Sequence, residues 1–266
     1  MSVLHRLSGV SARPTPTIVI HGGAGIISRS KMTPAEERAI RRGLYHAALE
    51  GYTVLRRGES AVDAVEIAVR SLENNPTFNA GKGSIFNIDG VNQMEASVID
   101  GSNGMAGAVT LLTVVKNPVS LARRVMEGNQ NLSMCGSGAE KFANNEGLDI
   151  FDYSHLITGT VGAVAIDVCG RLAAATLTGG TTNKLDKCLD NTSAIGAGTW
   201  ADSKVAVSCA GTSKNATHQG TSRYIASHVD ILGENASKAS AIAINEIKNW
   251  AGMAGSFAWT PRADFR

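Results

Sequence analysis

"SHLITGTVGAVAIDVCG" occupies positions 154–170. A polar loop ends there in Gly159, and Thr160 opens a nearly unbroken apolar run. Threonine is a good strand residue, and such a run reads as a strand entering a buried sheet. The glycines at 159 and 162 raise a second reading. A threonine hydroxyl is a weak nucleophile, and an internal threonine has no base of its own. If the Gly159–Thr160 bond breaks, Thr160 gains a free α-amine that can take its own hydroxyl proton, so one residue supplies nucleophile and base. Gly159 permits the strained backbone an N-to-O acyl shift needs, and Gly162 leaves space beside the nucleophile. Taken alone, Thr160 reads as an ordinary strand opener.

Outward from this point the chain alternates strands and helices. "TVGAVAIDVCGRLAAATL" reads as two strands around a Cys169-Gly170 turn, and "KVAVSCAG" as another strand. "TSRYIASHVDILG" and "ASKASAIAINEIKNWA" are amphipathic helices, followed by a closing strand "SFAWT". Upstream, "TIVIHGG" is a strand ending in a glycine turn. The helix after it has Pro34 early, acids in its first turn and Gly58 after its end. "SAVDAVEIAVRSLENN" carries an apolar stripe of Val62, Val65, Val69 and Leu72. "NQMEASVID" and "AGAVTLLTVV" are strands, and "NPVSLARRVME" begins a helix with Asn117 as cap and Pro118 at its first position. Strands apolar on both faces, with helices in this order, predict an α+β fold of two stacked sheets covered by helices. The stretch 147–159 reads as a flexible internal segment.

At 266 residues the chain can bury one sizeable core. A formal charge of +2 without a basic stripe gives no reason to invoke nucleic acid. The four cysteines (Cys135, Cys169, Cys188, Cys209) stand singly, which predicts a reduced, cytoplasmic setting. The histidines lack ligand spacing, arguing against a catalytic zinc, and no apolar run is long enough to span a bilayer. "HGGAGII" lacks the third glycine of a dinucleotide fingerprint, and "NAGKGS" lacks phosphate-loop spacing. No GxSxG elbow is present.

Seven ordered blocks, "TIVIHGGAG", "FNAGKGSIFN", "QMEASVIDG", "GAVTLLTVVKNPVSLARRVME", "GTVGAVAID", "AAATLTGGTTNK" and "IGAGTWAD", resemble the plant-type L-asparaginase and isoaspartyl peptidase family of N-terminal-nucleophile hydrolases. The resemblance runs from about residue 17 to 211 and continues faintly to the end. It implies a four-layer αββα sandwich and a precursor cut between Gly159 and Thr160, giving pieces 1–159 and 160–266. Residues 1–16 are then a disordered tail, and 17–266 a single hydrolase domain. It also implies hydrolysis of L-asparagine or β-aspartyl dipeptides, with no cofactor required for catalysis, by a homodimer of processed protomers.

The same resemblance implies roles by position. Thr160 is the nucleophile, Thr178 orients its hydroxyl, Gly211 offers an oxyanion N–H and Asn79 lines the precursor site. A loop with the backbone carbonyls of Leu72, Glu73, Phe78, Ala80 and Lys82 holds a structural Na⁺. The sequence departs from the family at three places. An Arg-x-x-Asp pair that grips the substrate's α-carboxylate and α-amine falls, counted without gaps, on Cys188 and Asn191. A one-residue slip would substitute Lys187 and Asp190, and that slip is the expectation here. The threonine before the oxyanion glycine is Ala210. The segment before Thr160 is short and the family's last strand is missing, which implies a sheet edge covered in a dimer. These departures keep two further readings open: a catalytically silent binding or assembly protein, and an endopeptidase like the threonine aspartases.

Overall fold

The alanine-rich strands around Thr160 form the centre of the structure. In a computed structural model, residues 14–23, 32–128, 132–151, 159–181, 184–211, 213–249 and 254–259 are described. The strands are β1 (Thr17–His21), β2 (Met94–Asp100), β3 (Met105–Leu112), β4 (Ser133–Cys135), β5 (Val161–Ile166), β6 (Leu172–Thr178), β7 (Thr199–Ala201), β8 (Ala206–Gly211) and β9 (Ala254–Trp259). The helices are α1 (Pro34–Arg56), α2 (Ala61–Glu73), α3 (Pro118–Gly128), α4 (Gly136–Asn145), α5 (Ser213–Gln219), α6 (Thr221–Ile231) and α7 (Ala236–Asn249).

Six strands form one sheet in the order β1-β5-β6-β2-β3-β4, and three form a second in the order β7-β8-β9. The Val, Leu and Ala side chains on one face of the large sheet pack under α1, α2 and α3, with Val65, Leu72, Leu121 and Val125 buried there. Its other face meets the second sheet through Ile99, Val164, Ile166, Leu172, Ala174, Ala201 and Ala206. Val205, Val207 and Cys209 then bury against Ile225 and Ala226 of α6 and Ala239 and Ala243 of α7. The layers are therefore helix, sheet, sheet, helix, as the strand pattern predicted. Every residue of β5 and β6 is buried, which explains their long apolar runs, broken only by Thr176 and Thr178 at the end of β6.

Local chemistry sets the ends. Thr33 and Ser60 cap α1 and α2, each in a reciprocal box with Glu36 or Asp63. Bonds from Thr33 hold the Glu36 carboxyl below its ordinary pKa. The β5–β6 turn is tied by Asp167 Oδ1, which accepts from the backbone N–H of Cys169 (2.9 Å) and Arg171 (3.1 Å).

Helix α3 departs from expectation in its cap. The Asn117 backbone carbonyl accepts from Ser120 and Leu121, so the residue stands at the cap position, but its amide donates to Glu73 Oε2 at 2.7 Å. The cap comes instead from Glu73 at the end of α2, whose Oε1 accepts from the Val119 N–H at 2.9 Å. Burial pushes the Glu73 carboxyl up to about 8 against the pull of those bonds.

The sequence reading missed β4, α4, α5 and β7. In the stretch read as flexible, residues 147–151 are pinned: Leu148 N–H bonds Ala143, Phe151 N–H bonds Val114, and Lys116 bonds Asp149. Residues 152–158, and the tail through residue 13, lie outside the described residues. Among the described residues no helix is long and apolar enough to cross a membrane.

Candidate active site

Antiparallel register builds the site in two rows. β5 and β6 pair Val161 with Leu177 and Gly162 with Thr176. One step further, Thr160 stands opposite Thr178, and directly paired residues share a face of the sheet. On the far side of β6, Glu95 pairs with Thr178 and Ser97 with Thr176. On the near side of β5, His21 pairs with Gly162. One row is therefore Thr160–Thr178–Glu95, and the next is His21–Gly162–Thr176–Ser97. Both look toward the second sheet, because Thr176 and Gly162 reach Ser208 of β8.

Gly159 has φ 132°, a conformation that a side-chain-bearing residue rarely adopts, immediately before the candidate nucleophile. Gly162 is required by close approach. A Cβ there would overlap the Ser208 hydroxyl and stand 2.5 Å from His21 Nε2. The space expected beside the nucleophile is thus filled by two polar side chains, which hydrogen-bond each other at 2.8 Å. Burial pushes His21 down to about 4, while a hydrogen bond to the Thr160 backbone works the other way. The imidazole is neutral at ordinary pH.

Thr178 is buried, and its Oγ1 accepts from the Gly180 N–H at 3.1 Å. That bond uses oxygen lone-pair capacity and leaves the hydroxyl proton for donation toward the residue opposite. Asn79 clamps this strand end. Its Nδ2 donates to the Gly180 carbonyl at 2.9 Å, its Oδ1 accepts from Ile85 N–H at 3.1 Å, and its own carbonyl accepts from Gly179 N–H at 3.0 Å. Gly211 ends β8 opposite Ala254 of β9, three residues past Ser208. Ala210 beside it is buried and brings no hydroxyl.

The arrangement is a threonine at the head of an internal strand, a second threonine opposite it, and a glycine-ended strand from the facing sheet. A family model described as Asparaginase matches residues 14–159 and 155–261. An isoaspartyl peptidase/L-asparaginase of Rattus norvegicus is 39% identical over 258 residues, covering 87% of this chain and 76% of that protein. One from Danio rerio is 39% identical over 259 residues, covering 88% and 82%. An isoaspartyl peptidase of Escherichia coli strain K12 is 41% identical over 227 residues, covering 73% and 71%. The chain belongs to the asparaginase family.

In this asparaginase-family chain the loop after β6 folds around Glu95. The Glu95 carboxylate accepts from Lys184 Nζ (2.9 Å), Asp190 N–H (2.7 Å) and Ser193 Oγ (2.7 Å). Lys184 also bonds Asp190 Oδ2 at 2.9 Å. Burial works against the Lys184 ammonium, but Glu95 and Asp190 outweigh it and hold its pKa above the ordinary value. Burial raises the Glu95 carboxyl.

The structure does not bring Lys187 and Asp190 together. Lys187 has φ 58°, is 79% exposed at its side chain and pairs at 3.3 Å with Asp186, while Asp190 is turned inward onto Lys184. Cys188 is exposed. Asn191 is buried, and its Nδ2 has no hydrogen-bond partner among the described residues.

The candidate cation loop is a series of tight turns. The Leu72, Phe78 and Ala80 carbonyls accept from the N–H groups of Asn75, Ala80 and Gly83. A Cβ on Gly81 would overlap the Glu73 carbonyl, so glycine is needed for the chain to close there. Lys82 Nζ stands 5.6 Å from the Phe151 ring centroid. Cys209 is buried, and burial pushes its thiol up to about 12, so it is inert at neutral pH.

His21, Ser208, Thr176, Glu95 and Lys184 did not emerge from motif reading. Their signal is period two: polar residues at 95 and 97, at 176 and 178, and at 208 interrupt otherwise apolar strands on one face.

Proposed function

We propose that this chain is a self-cleaving amidohydrolase that releases ammonia from L-asparagine, or an amino acid or peptide amine from β-aspartyl peptides. The observation that carries the reading is Thr160, preceded by Gly159 at φ 132° and set opposite Thr178. In maturation, Thr160 Oγ1 attacks the Gly159 carbonyl carbon and the C–N bond breaks. The acyl group passes to oxygen and the released nitrogen keeps the hydroxyl proton as the free Thr160 amine; water then hydrolyses the ester, leaving the Gly159 carboxylate and restoring the Thr160 hydroxyl. In turnover, that amine takes the Oγ1 proton while Oγ1 attacks the substrate's side-chain carbonyl, and the proton then passes to the departing amine. Water releases aspartate from the acyl-enzyme by the same route in reverse. Thr178 donates to Oγ1, and the Gly211 N–H meets the developing oxyanion; one such donor is worth about 3 kcal/mol.

On the substrate-gripping loop we favour Asn191, whose buried amide has unspent capacity, over Asp190, which Lys184 already occupies. The neutral carbonyls of Leu72, Glu73, Phe78, Ala80 and Lys82 are hard oxygen donors of the kind a Na⁺ ion takes. With one lone pair on three of them used by backbone N–H groups, the second remains for the ion, which would stiffen the loop that carries Asn79. A homodimer in the cytoplasm completes the proposal.

Intact mass with N-terminal sequencing tests it, alongside incubation with asparagine and a β-aspartyl dipeptide. Fragments beginning at Thr160, absent in Thr160→Ala, are expected together with released aspartate. Complete scission with neither substrate consumed would reject the substrate assignment, and turnover by an uncut chain would reject the mechanism.

A further inference from the structure

One buried carboxylate beside the candidate catalytic pair takes no part in the proposed chemistry. Glu95 is fully buried on β2 and stands opposite Thr178, one strand beyond the Thr160–Thr178 pair. At about 4.8 Å per strand, its Cα lies roughly 10 Å from that of Thr160. An apolar residue would fill such a position more simply, because a buried charge is costly unless its oxygens are satisfied.

Its partners show what the charge does. Oε1 accepts from the Asp190 N–H at 2.7 Å and from Lys184 Nζ at 2.9 Å. Oε2 accepts from Ser193 Oγ at 2.7 Å, with the Ser193 N–H further off at 3.4 Å. Residues 190–193 therefore form an arch whose two feet rest on a single carboxylate. Ser97, two residues along β2 and on the same face, donates to the Thr192 carbonyl at 2.6 Å and holds the crown. From a third side Gly198 comes so close that a Cβ there would stand 2.5 Å from the Asn191 carbonyl oxygen. Inside the arch sits Asn191, buried, with an Nδ2 that has no partner among the described residues. A buried donor left open in this way calls for an acceptor.

We infer that Glu95 is a positioning residue for the substrate: it holds the 190–193 arch on β2, so that the Asn191 amide stands at a fixed offset from Thr160. This rests on the reading of Thr160 as the nucleophile and of Asn191 as part of the grip.

A carboxylate suits the task because its two oxygens offer about four acceptor sites, and the donors of Lys184, Asp190 and Ser193 use them. An amide at position 95 keeps one accepting oxygen only. Its NH2 group would face a donor at one foot, and that foot would loosen. Movement of the arch changes where the substrate's head lies but leaves Gly159, Thr160 and Thr178 in place. A contact made alike with substrate and transition state shows in KM and not in kcat. Scission of the chain, which needs no bound substrate, should be spared.

The test uses full-length protein and three readouts: the rate of Gly159–Thr160 scission by intact mass, and kcat and KM on asparagine or a β-aspartyl dipeptide, whichever is consumed. Ser193→Ala removes one foot and should raise KM roughly three- to tenfold, with kcat and scission within about twofold. Glu95→Gln should raise KM at least as much. Glu95→Asp, which keeps the charge but draws it back by one carbon, should fall between Glu95→Gln and wild type. Ser193→Ala reports even if the Glu95 variants do not fold. Combined with Asn191→Ala it should add nothing further, since both act through one contact. Folded Ser193→Ala with wild-type KM, or a KM effect that multiplies with that of Asn191→Ala, would overturn the positioning role. So would a fall in scission rate as large as the rise in KM, the mark of a general packing defect. A wild-type protein that neither cuts nor hydrolyses would instead overturn the hydrolase reading, and this inference with it.

Discussion

Replacing Lys184 with methionine removes the cation that pairs with the buried carboxylates of Glu95 and Asp190. The lysine side chain is 6% exposed, Glu95 is fully buried, and both Lys184 contacts are 2.9 Å. Truncating one partner of such a pair costs about 3–5 kcal/mol, because the charge left behind keeps its desolvation penalty without compensation. In a chain of this size that amounts to a fall in Tm of roughly 10 °C.

The loss should depend on pH, and the sign follows from Glu95. Burial and the neighbouring Asp190 both raise its folded-state pKa, and removing Lys184 takes away the largest pull in the other direction. A carboxyl whose folded pKa lies above its unfolded value contributes stability fully below the unfolded pKa and loses it as pH rises through the folded one. The deficit of Lys184→Met should therefore be small near pH 4.5 and large at pH 8. Thermal and urea unfolding at both pH values, in a Thr160→Ala background that keeps the chain in one piece, would measure it. A deficit equal at the two pH values would refute the electrostatic account and leave a packing defect in its place.

Gly162→Ala should abolish scission and lower Tm, since its methyl overlaps Ser208 Oγ and crowds His21 Nε2, and a gel after long incubation reads the first effect. Glu73, with a folded pKa of about 8, stabilises the fold most below about pH 4.5 and loses that contribution as pH rises through 8, so Glu73→Gln should flatten the decline of Tm across this range. Lys187→Ala should leave Tm unchanged, because its ion pair is exposed, and should leave KM for asparagine unchanged. Asn191→Ala should raise that KM about tenfold by removing one buried hydrogen-bonding group.

The layers were legible because strands buried on both faces leave an unmistakable record, as in "AVAI" and "AAATL". So were the ends of α1 and α2, where capping chemistry is local. The cap of α3 was not, because it comes from Glu73, 46 residues before the Val119 N–H it accepts from. The Thr160–Thr178 pair could be placed through the resemblance of "GTVGAVAID" and "AAATLTGGTTNK" to the family's blocks. Lys184, Glu95 and Asp190 could not, since their meeting depends on a loop wrapping across β2, and spacing within the loop suggested the partner Lys187 that faces solvent. His21 looked like part of a glycine turn; only the register of β1 on β5 reveals what it touches. The short elements β4 and β7 are three residues each, below the length at which periodicity carries information.

The strand order β1-β5-β6-β2 interleaves residues from before and after position 160. A break ahead of Thr160 would thus leave two polypeptides woven through a common ladder, with β5 gripped by β1 on one flank and β6 by β2 on the other. Such halves have no route to drift apart while folded. Once melted, they must find each other by bimolecular encounter, so recovery would slow on dilution where the uncut precursor's would not.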